Sequence, residues 1–197
     1  MDKLADAIAS IEQYSYIYNI KMTGIPQKDR ESANDTATLC LNLFASLGAT
    51  EVTINDIDTA HRVPKRQTTN KPNPIICKFA RRLAKDQVMA CRRNVRRVQL
   101  SHLGIATSDD SGNAENDSSY IGIFDHLTPS LQTLLYEAKA VQAKLNFKYC
   151  WSKSSAIFLR EDDATRVFKL QKLSDLESLQ NDILLKRSGQ EHATSVS

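Results

Sequence analysis

Twelve of the 26 lysine and arginine side chains in this 197-residue chain fall between positions 61 and 100, accompanied by a single carboxylate, Asp86. That segment carries a formal charge of +11, against −5 for residues 1–60 and −3 for residues 101–197. Solvated surfaces mix charge signs because like charges repel. An unmixed patch of this size therefore implies an anionic partner, and a phosphate backbone is the commonest one. Arginine outnumbers lysine in the segment, and its planar guanidinium matches phosphate in a bidentate fashion.

The residues needed for other chemistry are not arranged for it. His61, His102, His126 and His192 are scattered, and there is no GxSxG, Walker or HExxH motif. Cys40, Cys77, Cys91 and Cys150 lack CxxC spacing and sit in apolar-periodic segments, as small core hydrophobes of a reducing compartment do. Asp109–Asp110 lies in a polar segment, and Glu161–Asp162–Asp163 reads as a turn. No catalytic residue, metal ligand, cofactor or small-molecule substrate is expected. No apolar run approaches the roughly 20 residues of a membrane span, and MDKLADAIASIEQ has no signal-peptide core. The expectation is a cytoplasmic or nuclear protein with no membrane partner.

The elements that must position the basic residues follow from periodicity. YNIKMTGIP at 18–26 alternates as a strand, with Ile20 and Met22 opposite Asn19, Lys21 and Thr23. A helix opens at Ser32, carries Ala37, Cys40, Leu41, Phe44 and Leu47 on one face, and stops at Gly48. Residues 52–63 make a second strand region, 64–74 a loop, and 74–79 a third strand. A basic amphipathic helix over 81–94 places Arg81, Arg82, Lys85, Arg92 and Arg93 on one side and Ala84, Val88 and Cys91 on another. Arg96 and Arg97 extend the positive region, and 95–100 reads as a fourth strand. The order is strand, helix, strand, strand, helix, strand, a ferredoxin-like βαββαβ unit. Both helices then cover one sheet face, and Asn19, Lys21 and Lys78 point to the other, where RNA-recognition sheets take their ligand. The usual stacking aromatics of that motif are missing, so contact with the phosphate backbone is favoured over base reading.

The fold class expected is α+β: a modified RNA-recognition domain (18–103), then a small α/β C-terminal domain (120–186), with a short N-terminal helix (1–17). The segment 104–119 has four acids, no base and little apolar content, and reads as a flexible linker. Residues 187–197 read as a disordered tail. The second domain begins with a strand at 120–124 and a helix opened by Thr128 and Pro129. Strands at 147–151 and 156–160 and a helix after Ser174 follow. Trp151, near Lys148 and Lys153, faces outward to stack a base or inward to fill the core; both readings stand. In the N-terminal helix, Leu4, Ile8, Ile11 and Tyr18 share a heptad seam, the mark of a coiled-coil stub able to self-associate or of a helix packed on the domain.

With these segments placed, YNIKMTGIP, DIDTAHRVPKR and NPIICKFARRLAKDQVMACRRN resemble the RNA-binding domain of non-LTR retrotransposon first-open-reading-frame proteins. IGIFDHLTPSLQTLLYEAKA, KYCWSKSSAIFLREDD and RVFKLQKLSDLESL are more similar still to the C-terminal domain of the baculovirus few-polyhedra (FP) protein and its invertebrate retroelement relatives. The resemblance covers about residues 15–180. It implies a coiled coil, a modified RNA-recognition domain and a small C-terminal domain, in trimers that coat single-stranded RNA and act as nucleic-acid chaperones. Asn19 and Lys21 match an N-basic pair on the first strand. Arg62, Lys65 and Arg66 match a basic run after the second strand, Arg92 an arginine late in the second helix, and Trp151 a C-terminal aromatic. Here the coiled coil is reduced to two heptads. The function expected is sequence-tolerant binding of single-stranded RNA or DNA. The alternative is a structural or protein-interaction module of few-polyhedra type, whose basic patch meets an acidic protein.

Overall fold

The computed structural model describes residues 2–64, 71–105 and 121–194, and the side chains of all of these except Asp2, Asp6 and residues 186–194. The fold is α+β, and the chain divides into two compact units, residues 14–126 and residues 1–13 with 127–197.

In the first unit, alternation along β1 (Asn19–Thr23) buries Ile20 and Met22. The helix α2 (Ala33–Leu47) starts at a capping box: the Ser32 hydroxyl accepts from Asp35 N at 3.1 Å, and Ser32 N donates to Asp35 Oδ2 at 2.9 Å. It ends at Gly48, whose φ of 99° is the left-handed conformation that glycine tolerates best. Strands β2 (Ile57–Arg62) and β3 (Ile75–Phe79) follow, then α3 (Arg82–Cys91) and β4 (Gly122–Asp125). The sheet order is β2-β3-β1-β4 with every neighbouring pair antiparallel. Ile20, Met22, Ile75, Cys77, Phe79 and Ile123 meet α2 and α3 on one face in a single core, where the Phe44 and Phe79 rings stack at 5.6 Å. The expected ferredoxin-like arrangement is therefore present.

Its fourth strand is not the expected one. Residues 95–100 form no strand; Arg92–Arg97 and Leu100–Leu103 are 3-10 turns, with only Val98 and Gln99 extended between them. Half-buried Val95 and buried Val98 lie three residues apart, the repeat that aligns side chains in a 3-10 helix. The vacant edge of β1 is filled by Gly122–Asp125, a strand expected in the second domain. The boundary expected at 103 accordingly moves to 126, and the segment 104–119, most of which lies outside the described residues, precedes β4 instead of separating the units.

In the second unit Thr128 caps α4 (Pro129–Leu145), its hydroxyl accepting from Leu131 N at 3.3 Å. The strands are β5 (Tyr149–Lys153), two residues later than expected, β6 (Ala156–Arg160) and β7 (Phe168–Leu170), which sequence reading missed. They form an antiparallel sheet in chain order. Ser154 and Ser155, with φ of 48° and 57°, make the two-residue turn between β5 and β6. Leu134, Ala138, Ile157, Leu159 and Leu170 form this unit's core with Leu176 of α5 (Leu173–Thr194). Helix thus occupies most of the expected disordered tail.

The first unit is clamped by a buried ion pair. Arg62 and Glu31 side chains are 8% and 2% exposed and meet at 2.9 Å. Arg62 uses all five of its N–H donors: two on Glu31, and one each on the carbonyls of Ile25, Pro26 and Asn73. Burial pushes the Glu31 carboxyl up, but hydrogen bonds from Arg62 and Thr36 outweigh it and hold the group below its ordinary value. The stabilisation is thus complete above the usual carboxylate range and is lost as pH falls through the lower folded-state value. Glu31→Gln should cost about 3–5 kcal/mol in urea unfolding at pH 7, because it strands a buried guanidinium. The gap from wild type should narrow only as pH falls beneath the usual carboxylate range and through the lowered folded-state value, where the wild-type carboxyl is itself protonated.

Candidate nucleic-acid interface

Five of the ten described basic side chains of the 61–100 segment are matched by carboxylates, four of these brought in from outside the segment. Arg62 meets Glu31. Lys78 pairs with Asp58 at 2.7 Å on the surface. Arg81 Nε donates to Asp56 at 2.6 Å; the Asp56 carboxyl is held low first by the Thr53 backbone N–H and then, against burial, by Arg81. Arg82 lies 4.0 Å from Asp86 one turn on. Lys85 is buried, with its Nζ 2.7 Å from both the Ile17 carbonyl and Asp125 Oδ1.

Two expected ligand contacts are thereby corrected. Arg62 and Lys85 are structural: a buried cation must be saturated by the chain itself, and these are. Helical periodicity put Lys85 with the outward arginines, but the long stem of Lys85 carries its charge inward to Asp125 on β4. Lys65 and Arg66 lie outside the described residues.

Arg92, Arg93, Arg96 and Arg97 differ. None has a carboxylate partner among the described residues, and Arg93, Arg96 and Arg97 are exposed. These arginines lie on a 3-10 turn, Arg92–Arg97, in which Asn94 Nδ2 donates to the Leu47 carbonyl at 2.8 Å. Arg92, Arg93 and Arg96 line a groove of about 470 Å³ whose other wall is Ile121 and the first three residues of the edge strand β4, Gly122, Ile123 and Phe124.

The groove adjoins the sheet face turned away from α2 and α3, which is exposed at Phe124 but buried at Ile76. Cross-strand register puts His61, Ile76, Lys21 and Phe124 in one row across that face, and Asn19 beside Lys78 in the next. Phe124 is 54% exposed. The Tyr16 ring lies 4.7 Å from His126, and burial, then the Lys21 charge, hold the His126 imidazole below its ordinary pKa. Asn19 Oδ1 and His126 Nδ1 are buried without a hydrogen-bond partner among the described residues. Sequence reading thus found Asn19, Lys21 and Lys78 on the correct face but missed Phe124, His61, His126 and Tyr16. The alternation in IGIF held the signal for Phe124, had that strand been assigned to this sheet.

In the second unit, Lys148 is ion-paired with Asp163, which also accepts from the Tyr149 hydroxyl. Trp151 is half-buried and stacks on Phe158 of β6 at 5.4 Å, with Lys169 across from Phe158 on β7. It lies on the sheet face opposite Ile157 and Leu159, outside the core.

Residues 128–180, which run from the cap of α4 into α5, match the family model for baculovirus FP protein domain 2. This is the region whose likeness to few-polyhedra proteins was read from the sequence. A comparison with curated proteins gave no match. The FP-like region includes Lys148 and Trp151, whereas the arginine groove lies N-terminal to it. No group of three or more potential metal ligands occurs among the described residues, and none of their helices is long and apolar enough to cross a membrane.

The two classes of basic residue should separate in urea unfolding. Lys85→Ala should lose about 3–5 kcal/mol, because it leaves Asp125 without its partner. Arg93→Gln and Arg97→Gln should each stay within about 0.5 kcal/mol of wild type, as exposed surface changes do.

Proposed function

We propose that this chain binds single-stranded nucleic acid, RNA in preference to DNA, with little sequence preference and without catalysing a reaction on it. The observation that supports this best is the set of four arginines at 92, 93, 96 and 97, unmatched by carboxylates among the described residues, beside a groove at the β4 edge. Guanidinium groups in this density suit phosphates spaced along a strand. Chaperone activity on annealing strands accords with the resemblance to retroelement proteins. Self-association through α1 (Asp2–Tyr16) belongs to the same reading: Leu4, Ile8 and Ile11, four and three residues apart, are all more than half exposed. Substituting these three with Ser should lower the mass seen in sedimentation if α1 joins copies.

The match to baculovirus FP protein domain 2 favours a second reading, a structural module whose basic surface meets an acidic protein. Salt titration on matched single- and double-stranded RNA and DNA separates the two. If four phosphates are neutralised, log K should fall with log salt at a slope of about −3 for single strands. Arg92→Glu with Arg93→Glu should weaken binding at least tenfold, and Lys169→Glu with Lys172→Glu far less. Affinity independent of salt, or equal losses from the two pairs, would sink the proposal. Binding to an acidic protein but to no oligonucleotide would establish the second reading.

A further inference from the structure

We infer that Phe124 is a base-stacking residue, so that the arginine groove takes a nucleotide unit with its phosphate on Arg92 and Arg96 and its base on the Phe124 ring. The inference rests on the nucleic-acid reading above and adds a contact that phosphate binding does not require.

Three observations carry it. First, the ring is placed by a glycine. A Cβ on Gly122 would lie 2.4 Å from Phe124 Cε2, 2.7 Å from Cζ and 3.0 Å from Thr23 Oγ1. The ring therefore lies back over the Gly122 backbone, closer than any side chain there would allow. Second, it remains 54% exposed, in a position where alternation turns it away from the core that holds Ile121 and Ile123. Third, its surroundings are cationic. Lys21 is its cross-strand partner, and Arg92, Arg93 and Arg96 line the groove of which the ring forms part. The carboxylate of the neighbouring Asp125 is committed to Lys85. An aromatic face among unpaired cations suits a base attached to a phosphate, because every base presents a π face whatever its sequence. Stacking of this kind predicts single-strand preference, because a base inside a duplex has both faces covered by its neighbours.

The test uses the full chain and two oligonucleotides of equal length and charge, an oligouridylate and an abasic strand. Phe124→Ala and Phe124→Leu should each weaken oligouridylate binding about 5- to 100-fold. Both should leave abasic binding and the salt slope unchanged. Phe124→Trp should bind as well as wild type. Gly122→Ala keeps the ring but displaces it, and should weaken oligouridylate binding alone. A 2-aminopurine base in the strand should be quenched on binding wild type and not on binding Phe124→Ala. Thermal unfolding confirms that each variant is folded, and Phe124→Leu retains the apolar bulk should Phe124→Ala lose stability. If Phe124→Ala binds both strands as wild type does while Arg92→Glu with Arg93→Glu binds neither, stacking is refuted and the nucleic-acid reading stands. If Phe124→Ala weakens binding of the abasic strand as much as that of the oligouridylate, the ring is not a base contact. If wild type binds no oligonucleotide, both readings fall.

Discussion

The first unit depends on one buried guanidinium. Arg62, at the end of β2, reaches across to the carbonyls after β1 and before β3 and to the carboxylate that precedes α2. Residues 25–26, Glu31 and Asn73 are thereby tied to one rigid, planar group on β2. A buried cation is tolerated only when its donors are matched, so the chain must hold these five acceptors in a fixed fork. That requirement sets where α2 begins and how the β2–β3 pair joins β1. The core then follows from alternation: Ile20, Met22, Ile75, Cys77 and Phe79 share the face on which α2 can dock.

The same accounting shapes the surface potential. Glu31, Asp56, Asp58 and Asp125 come from outside the basic segment, and each neutralises one of its cations. Folding thereby converts a uniformly basic stretch of sequence into a local field at the β4 edge. Lys85 illustrates the economy of the arrangement. Its ammonium ties α3 to β4 through Asp125 and to the Ile17 carbonyl, while its stem packs along the interior. The neighbouring arginines at 92, 93, 96 and 97 pair with no carboxylate among the described residues.

The second unit solves its core with fewer elements. One capped helix and a three-stranded antiparallel sheet bury Leu134, Ala138, Ile157 and Leu159, with α5 adding Leu176. The outer face of that sheet carries the Trp151–Phe158 stack. This small unit holds residues 128–180, which match the baculovirus FP domain model.

Periodicity and capping alone determined the helices α2 and α4, strand β1, the inward set Ile20, Met22, Ile75, Cys77 and Phe79, and the charged segment from which the candidate surface is drawn. These are local properties: a capping box, a period of two and a charge count need no knowledge of distant residues. Tertiary structure decided the rest. Residues 95–100 and 121–125 were both plausible fourth strands, and local propensity could not choose between them, since the choice depends on which fits the free edge of β1 across a long connection. Arg62 and Arg92 looked alike in sequence, both arginines in one basic run. One is clamped by five buried acceptors and the other lines a groove, because the carboxylate that distinguishes them, Glu31, lies 31 positions from Arg62 and arrives only with the fold.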